Sequence, residues 1–131
     1  MSDHFIEKKI YYHDTDAGGV VYYANYLKHL EEARFEFCLS RGVDIAEAVK
    51  VGEAFPVIVH VEINYKSPAR YGDMIKVFTR IEKIGFSSIH FSHEIKRGDI
   101  LIVTAKTVWA CVNKALKPQP VPDSIRQALR P

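Results

Sequence analysis

From Phe55 to Asn113 the chain repeats one pattern, with apolar residues recurring at alternate positions and breaks at Gly72-Asp73, Gly85 and Gly98-Asp99. Period-two alternation needs extended strands with one buried face, and glycine at the breaks marks tight turns. This half of the chain is therefore predicted to fold as antiparallel hairpins. "FPVIVHVEINYKS" places Phe55, Val57, Val59, Val61, Ile63 and Tyr65 on one face, with His60, Glu62, Asn64 and Lys66 on the other. "DMIKVFTRIEKI" gathers Ile75, Val77 and Ile81, and "SSIHFSHEIK" gathers Ile89, Phe91 and Ile95. "ILIVTAKTVWACVN" is the longest and most apolar of the four, which suits a central strand. The prolines of "KPQPVP" end the ladder, and "DSIRQALR" suits a short helix with Asp123 near its cap.

Ahead of these strands the period changes. A first strand is predicted over roughly Phe5–His13, then the loop "DTDAGG", then a helix from about Val20 to Arg41 with Gly42 at its C-terminal cap. Tyr23, Leu27, Leu30, Phe37 and Cys38 recur at helical spacing, with Lys28, Glu32 and Glu36 between them. One long helix and about five antiparallel strands make an α+β plan, in which the helix packs across the apolar face of the sheet. At 131 residues, with neither repeat nor linker, the chain fits one domain spanning 1–131. So small a sheet cannot wrap the helix completely, so a homodimer or tetramer is expected.

Composition narrows the function. Hydrophobic residues make up 47% and charged residues 26%, and the net charge of +2 gives no reason to expect nucleic acid. No segment approaches the ~18 apolar residues of a membrane span, and "MSDHFIEKKI" lacks a signal-like apolar run, so a cytoplasmic protein is the expectation. Cys38 and Cys111 read as buried free thiols. His60, on one predicted strand, and His90 and His93, on another, lack metal-ligand spacing, so neither metal nor other cofactor is expected.

The loop is where chemistry concentrates. Asp14 and Asp16 suit turn and cap positions, and Gly18-Gly19 suits a sharp corner. An EF-hand fails because its fifth ligand position would be Gly18 and its twelfth Asn25. A phosphate loop fails for want of Lys and Ser/Thr after the glycines. A catalytic reading remains open beside the turn reading. Free backbone N–H groups at a helix start can hold a developing oxyanion, and glycine allows a carbonyl to approach closely. An aspartate there can attack a carbonyl or activate water. With no serine or cysteine in the loop, the electrophile is expected to be an activated acyl group such as a thioester.

The string "YYHDTDAGGVVYYANYLKHLEEAR" closely resembles the signature of hotdog-fold acyl-CoA thioesterases of the 4-hydroxybenzoyl-CoA thioesterase class, nearest the Tol-Pal-associated branch. "NYKSPARYGDMIKV" continues the likeness, which covers nearly the whole chain. The resemblance implies a hotdog fold, hydrolysis of acyl-CoA to a free acid and CoA, and a catalytic carboxylate at Asp16. It also implies an oxyanion donor at the backbone N–H of Tyr23, where the Tol-Pal branch often has His and the 4-hydroxybenzoyl enzyme has Tyr. Gly18, Gly19, Asn25 and His13 are the candidate substrate-binding residues, Asn25 alternatively tying the helix to a loop. The Tyr11, Tyr12, Tyr22, Tyr23 and Tyr26 cluster is a candidate acyl-pocket lining. Arg70, Lys83, Lys114 and Lys117 are candidate contacts for the CoA phosphates, and an acyl-carrier protein is an alternative donor of the acyl group. Rival readings on the same fold are a non-catalytic acyl-CoA or carrier-protein binding module and a hydratase or dehydratase. Asp16 argues against the first, and the absence of a His at the helix start against the second.

Overall fold

The structure is a computed structural model and describes residues 4–131. Five strands form one antiparallel sheet: β1 (His4–Lys9), β2 (Phe55–Tyr65), β3 (Met74–Ile84), β4 (Ser88–Arg97) and β5 (Ile100–Val112). Their order is β1-β3-β4-β5-β2. The long helix α1 (Tyr26–Ser40) packs on one face, α2 (Ile45–Lys50) follows it, and α3 (Asp123–Leu129) closes one end. This is the predicted hotdog plan. β5 is interior, as its apolar run suggested, although β4 holds the centre.

α1 turns Tyr26, His29, Leu30, Ala33, Arg34, Phe37 and Cys38 toward the sheet, the i, i+3, i+4, i+7 spacing of a buried stripe. It stops in a Schellman motif: Val43 N–H donates to Cys38 O at 2.8 Å, Gly42 N–H to Leu39 O at 3.0 Å, and Gly42 takes φ +79°. The stripe buries two apolar clusters, one around Phe37, Phe91 and Trp109 and the other around Leu30, Val77 and Ile95. A polar row lies between them. His93 bonds Thr79 Oγ1 at 3.2 Å through Nδ1 and Thr107 Oγ1 at 3.0 Å through Nε2, and Arg34 Nη1 donates to Thr107 Oγ1 at 3.4 Å.

Three expectations change. The helix begins at Tyr26 rather than Val20, because Thr15 and Val21 bridge and hold the intervening residues in a hairpin. β1 ends at Lys9 rather than His13, where Tyr12–Asp14 forms a 3-10 turn. The uniform face of β2 is broken by a bulge, since Ile58 pairs with Trp109 but His60 pairs with Val108, leaving Val59 as the extra residue. Cross-strand partners share a face. Val61, Ile63 and Tyr65 therefore stand on the side of Thr107, Ala105 and Val103, whereas Phe55 and Val57 stand on the other. β2 is also an edge strand, and Val59 and Val61 are 58% and 40% exposed.

Candidate active site

The loop that follows the first 3-10 turn is a tight hairpin. Asp16 N–H donates to Val20 O at 3.0 Å, and Gly19 N–H returns to Asp16 O at 3.0 Å. Gly19 takes φ +80°, a left-handed conformation that suits glycine at this corner. The side chain of Asp16 folds over the turn, with Oδ1 accepting Gly18 N–H at 2.8 Å. A Cβ at Gly18 would stand 3.1 Å from that oxygen, so the small residue makes room for the carboxylate. Asp16 is solvent-exposed, and among the described residues nothing donates to its Oδ2.

After the hairpin the chain makes a second 3-10 turn, Tyr23–Asn25, which runs directly into α1. Among the described residues no backbone carbonyl takes the N–H of Tyr23 or Ala24. These are the open donors that a helix start leaves over. Asp16 therefore sits ahead of the helix on its own hairpin, and the Thr15–Val21 bridge returns the chain to the helix start.

The wall of the site comes from "SPARYGD". Val20 bridges Arg70, Val21 N–H donates to Ala69 O at 2.8 Å, and Ala69 N–H donates to the buried Tyr26 hydroxyl at 3.3 Å. Asp73 holds that segment by accepting Arg70 N–H at 2.8 Å and Arg97 Nη1 at 2.9 Å. The two stretches that carry the family resemblance thus meet in space. Of the four candidate phosphate contacts, Arg70 is brought beside the loop by this bridge. Lys83 pairs with His90 in the β3–β4 ladder, while Lys114 and Lys117 follow β5.

Tyrosines surround the loop. Tyr22 and Tyr23 have ring centroids 4.8 Å apart, Tyr65 from β2 approaches Tyr23 edge-on at 6.4 Å, and its hydroxyl donates to Tyr23 O at 3.1 Å. Tyr12 meets Tyr71 at 5.9 Å. All five rings are exposed in the single chain, whereas Tyr26 is buried. His13 stacks on Tyr11 at 5.9 Å and is largely exposed, with Nδ1 3.8 Å from Asp14 Oδ1. Asn25 Nδ2 donates to Asp14 O at 3.0 Å, tying the helix start to the loop. Among the described residues, no three His, Cys, Asp or Glu side chains are grouped to hold a metal.

Residues 11–129 match the family model of the Thioesterase-like superfamily. The chain belongs to that superfamily. It is 33% identical over 120 residues to the acyl-CoA thioester hydrolase YbgC of Escherichia coli, covering 89% of this chain and 88% of the relative. It is 32% identical over 125 residues to a 1,4-dihydroxy-2-naphthoyl-CoA hydrolase of Microcystis aeruginosa, covering 94% and 90%. Among solved structures, a 1,4-dihydroxy-2-naphthoyl-CoA thioesterase from Synechocystis superposes with TM-score 0.90 at 26% identity, covering 98% of this chain and 96% of that one. The resemblance drawn from the two motifs holds, and this superfamily member is a thioester hydrolase on a hotdog fold.

Two residues near the loop escape a reading by apolar pattern. Asp14, which suits turn chemistry in the sequence, is buried at the base of the hairpin. His29 lies three residues beyond Tyr26 on the inward stripe, with Nε2 3.5 Å from Asp14 Oδ1. Its helical spacing from Tyr26 and Ala33 is the signal that places it inward. Glu32, on the charged side of the helix, pairs with Lys8 of β1.

Proposed function

We propose that this thioesterase hydrolyses acyl-CoA, with Asp16 as the reacting carboxylate and the Tyr23 backbone N–H as the oxyanion donor. The observation that carries this reading is the pairing of an exposed aspartate, held by Gly18 on a glycine-turned hairpin, with open N–H groups at the start of the helix. As general base, Asp16 takes a proton from water while the water oxygen bonds the thioester carbon. The carbonyl oxygen gains the electron pair and is held by the backbone donor. Collapse of this intermediate breaks the C–S bond, releasing the carboxylic acid and CoA, whose thiolate recovers the proton. As nucleophile, the Asp16 carboxylate instead displaces the CoA thiolate to form a mixed anhydride, which water then opens. In a single turnover in 18O-water, label in Asp16 marks the anhydride route with water attack on the Asp16 carbonyl. Where the label enters only the released acid, trapping of the anhydride by hydroxylamine separates attack on its acyl carbon from general-base hydrolysis.

Among acyl groups, an aromatic one fits best. Tyr22, Tyr23, Tyr65, Tyr12 and Tyr71 present exposed rings around the loop, and aromatic faces favour offset or edge-on contact with another ring. The naphthoyl-CoA hydrolases among its relatives act on substrates of that kind. Arg70 beside the loop is the candidate contact for CoA phosphate. A second copy of the chain is expected along the open edge of β2, where Ile58, Val59, Val61 and Tyr65 are exposed. Steady-state thiol release across aliphatic and aromatic acyl-CoAs, with an acyl-carrier-protein thioester alongside, tests the assignment. Higher kcat/KM for aromatic acyl-CoA is expected. Preference for straight-chain acyl groups would remove the role given to the tyrosines.

A further inference from the structure

Beneath the hairpin, α1 carries a histidine that this reaction does not use. His29 is 3% exposed, and among the described residues neither ring nitrogen has a hydrogen-bond partner. Nε2 faces Asp14 Oδ1 at 3.5 Å and Nδ1 faces Glu32 Oε1 at 3.8 Å. Asp14 is the junction of the loop. Its Oδ2 accepts Tyr11 N–H at 2.9 Å, and its carbonyl accepts Tyr22 N–H at 2.9 Å and Asn25 Nδ2–H at 3.0 Å. Loop entry, loop exit and helix start therefore converge on one buried residue, and His29 faces the carboxylate oxygen that, among the described residues, no amide takes.

We propose that His29 is a positioning residue: as a neutral imidazole with its proton on Nε2, it holds Asp14 and thereby seats the hairpin that presents Asp16. This rests on the reading of Asp16 as the reacting carboxylate. Among the described residues, the charged and titratable groups facing the pair are Glu32 on α1, Lys8 on β1 and His13 on the loop. Burial first, and the Lys8 charge next, lower the proton affinity of His29 against the pull of Asp14 and Glu32, which favours the neutral ring. The two carboxylates then compete for one N–H. The Asp14 side chain is 8% exposed, whereas that of Glu32 is 52% exposed and already paired with Lys8. The less screened Asp14 draws the proton to Nε2. At 3.5 Å the contact is about 0.5 Å longer than an ordinary N–H···O bond, a gap that a small shift of ring or loop closes.

Proton–nitrogen correlation spectra of the 15N-histidine-labelled wild-type protein at neutral pH read the tautomer without any substitution affecting the fold. His29, identified as the ring absent from His29→Gln, is expected as the Nε2–H form. An Nδ1–H tautomer or an imidazolium would overturn the proposal. Kinetics supply the second arm. His29→Gln keeps an N–H donor toward Asp14 and is expected to stay within about threefold of wild-type kcat, while His29→Phe loses ~10-fold to 10²-fold, the scale of a misplaced reacting group, with KM nearly unchanged. Wild-type kcat in a folded His29→Phe, or equal losses in both variants, would contradict it. If His29→Phe does not fold, the tautomer and the Gln variant decide. Should Asp16→Asn retain turnover while His29 shows the Nε2–H form, the Asp16 assignment fails and the hold on Asp14 stands.

Discussion

His93 makes folding stability depend on pH in a way the structure quantifies. Burial first, and the Arg34 charge next, push its imidazole from 6.5 down to about 3. The unfolded chain therefore takes up a proton on this residue near pH 6.5, which the folded chain refuses until far lower pH. The contribution is whole above about pH 6.5 and is lost as pH falls, at about 1.4 kcal/mol per unit. Between 6.5 and 5 that amounts to about 2 kcal/mol, approaching ~5 kcal/mol by pH 3, a large share of ordinary domain stability. The hydroxyls of Thr79 and Thr107 can accept from either tautomer, so charge rather than hydrogen bonding sets the cost. The perturbation is His93→Gln, which keeps a polar group but cannot titrate. Urea unfolding followed by Trp109 fluorescence at pH 7, 6 and 5, at one fixed protein concentration, gives both slopes. Wild type is expected to lose about 2 kcal/mol more than His93→Gln between pH 7 and 5, whatever the variant costs at neutral pH. His29, His4 and His90 are also lowered, chiefly by burial, but both proteins share them. Slopes within ~0.5 kcal/mol of each other would refute the argument that a proton on His93 is excluded by burial and Arg34.

Placing a lysine at Val61, on the open β2 edge, should convert the assembly to monomer by light scattering. A lysine at exposed Glu94 on β4 should not. Gly19→Ala forces a Cβ into φ +80° and should cost about 1–2 kcal/mol of stability together with a fall in kcat, read by thermal unfolding and thiol release. Exhaustive EDTA dialysis should leave turnover unchanged; loss of activity that one divalent ion restores would show the loop to be a metal site.

What could be read in the chain and what could not divides along physical lines. Alternation and glycine breaks placed four strands and their turns, because an antiparallel sheet with one wet face writes its geometry into hydropathy. The sharp corner after Asp16 was legible through Gly18-Gly19, although the hairpin it closes takes residues that suit the start of the helix. Apolar periodicity has no way to register a buried polar side chain, so the inward stripe of α1 was read through Leu27 and Tyr23, both exposed, instead of His29 and Arg34. Nothing local in the sequence marks His93 as a buried polar residue either, since its partners Thr79 and Thr107 come from neighbouring strands. The bulge at Val59 leaves an unbroken alternating string in sequence while reversing the faces on either side of it. The late start of the helix has a similar cause: Val20 and Val21 suit either a helix or a bridge, and only contact with Ala69 and Arg70 decides between them.

The reacting carboxylate is tested most directly by Asp16→Asn. Asparagine matches aspartate in size and its side-chain oxygen can still accept Gly18 N–H, so the hairpin keeps its turn while the negative charge is lost. Thiol release from the preferred acyl-CoA, compared with binding of a non-hydrolysable analogue, separates chemistry from recognition. Turnover is expected to fall by at least ~10², the scale of general-base catalysis, with analogue affinity and oligomeric state unchanged. Asp14→Asn keeps the carbonyl that ties the loop together and should cost less. Retention of more than about a tenth of wild-type turnover by Asp16→Asn, less than ~1.4 kcal/mol of barrier, would reduce Asp16 to a turn residue.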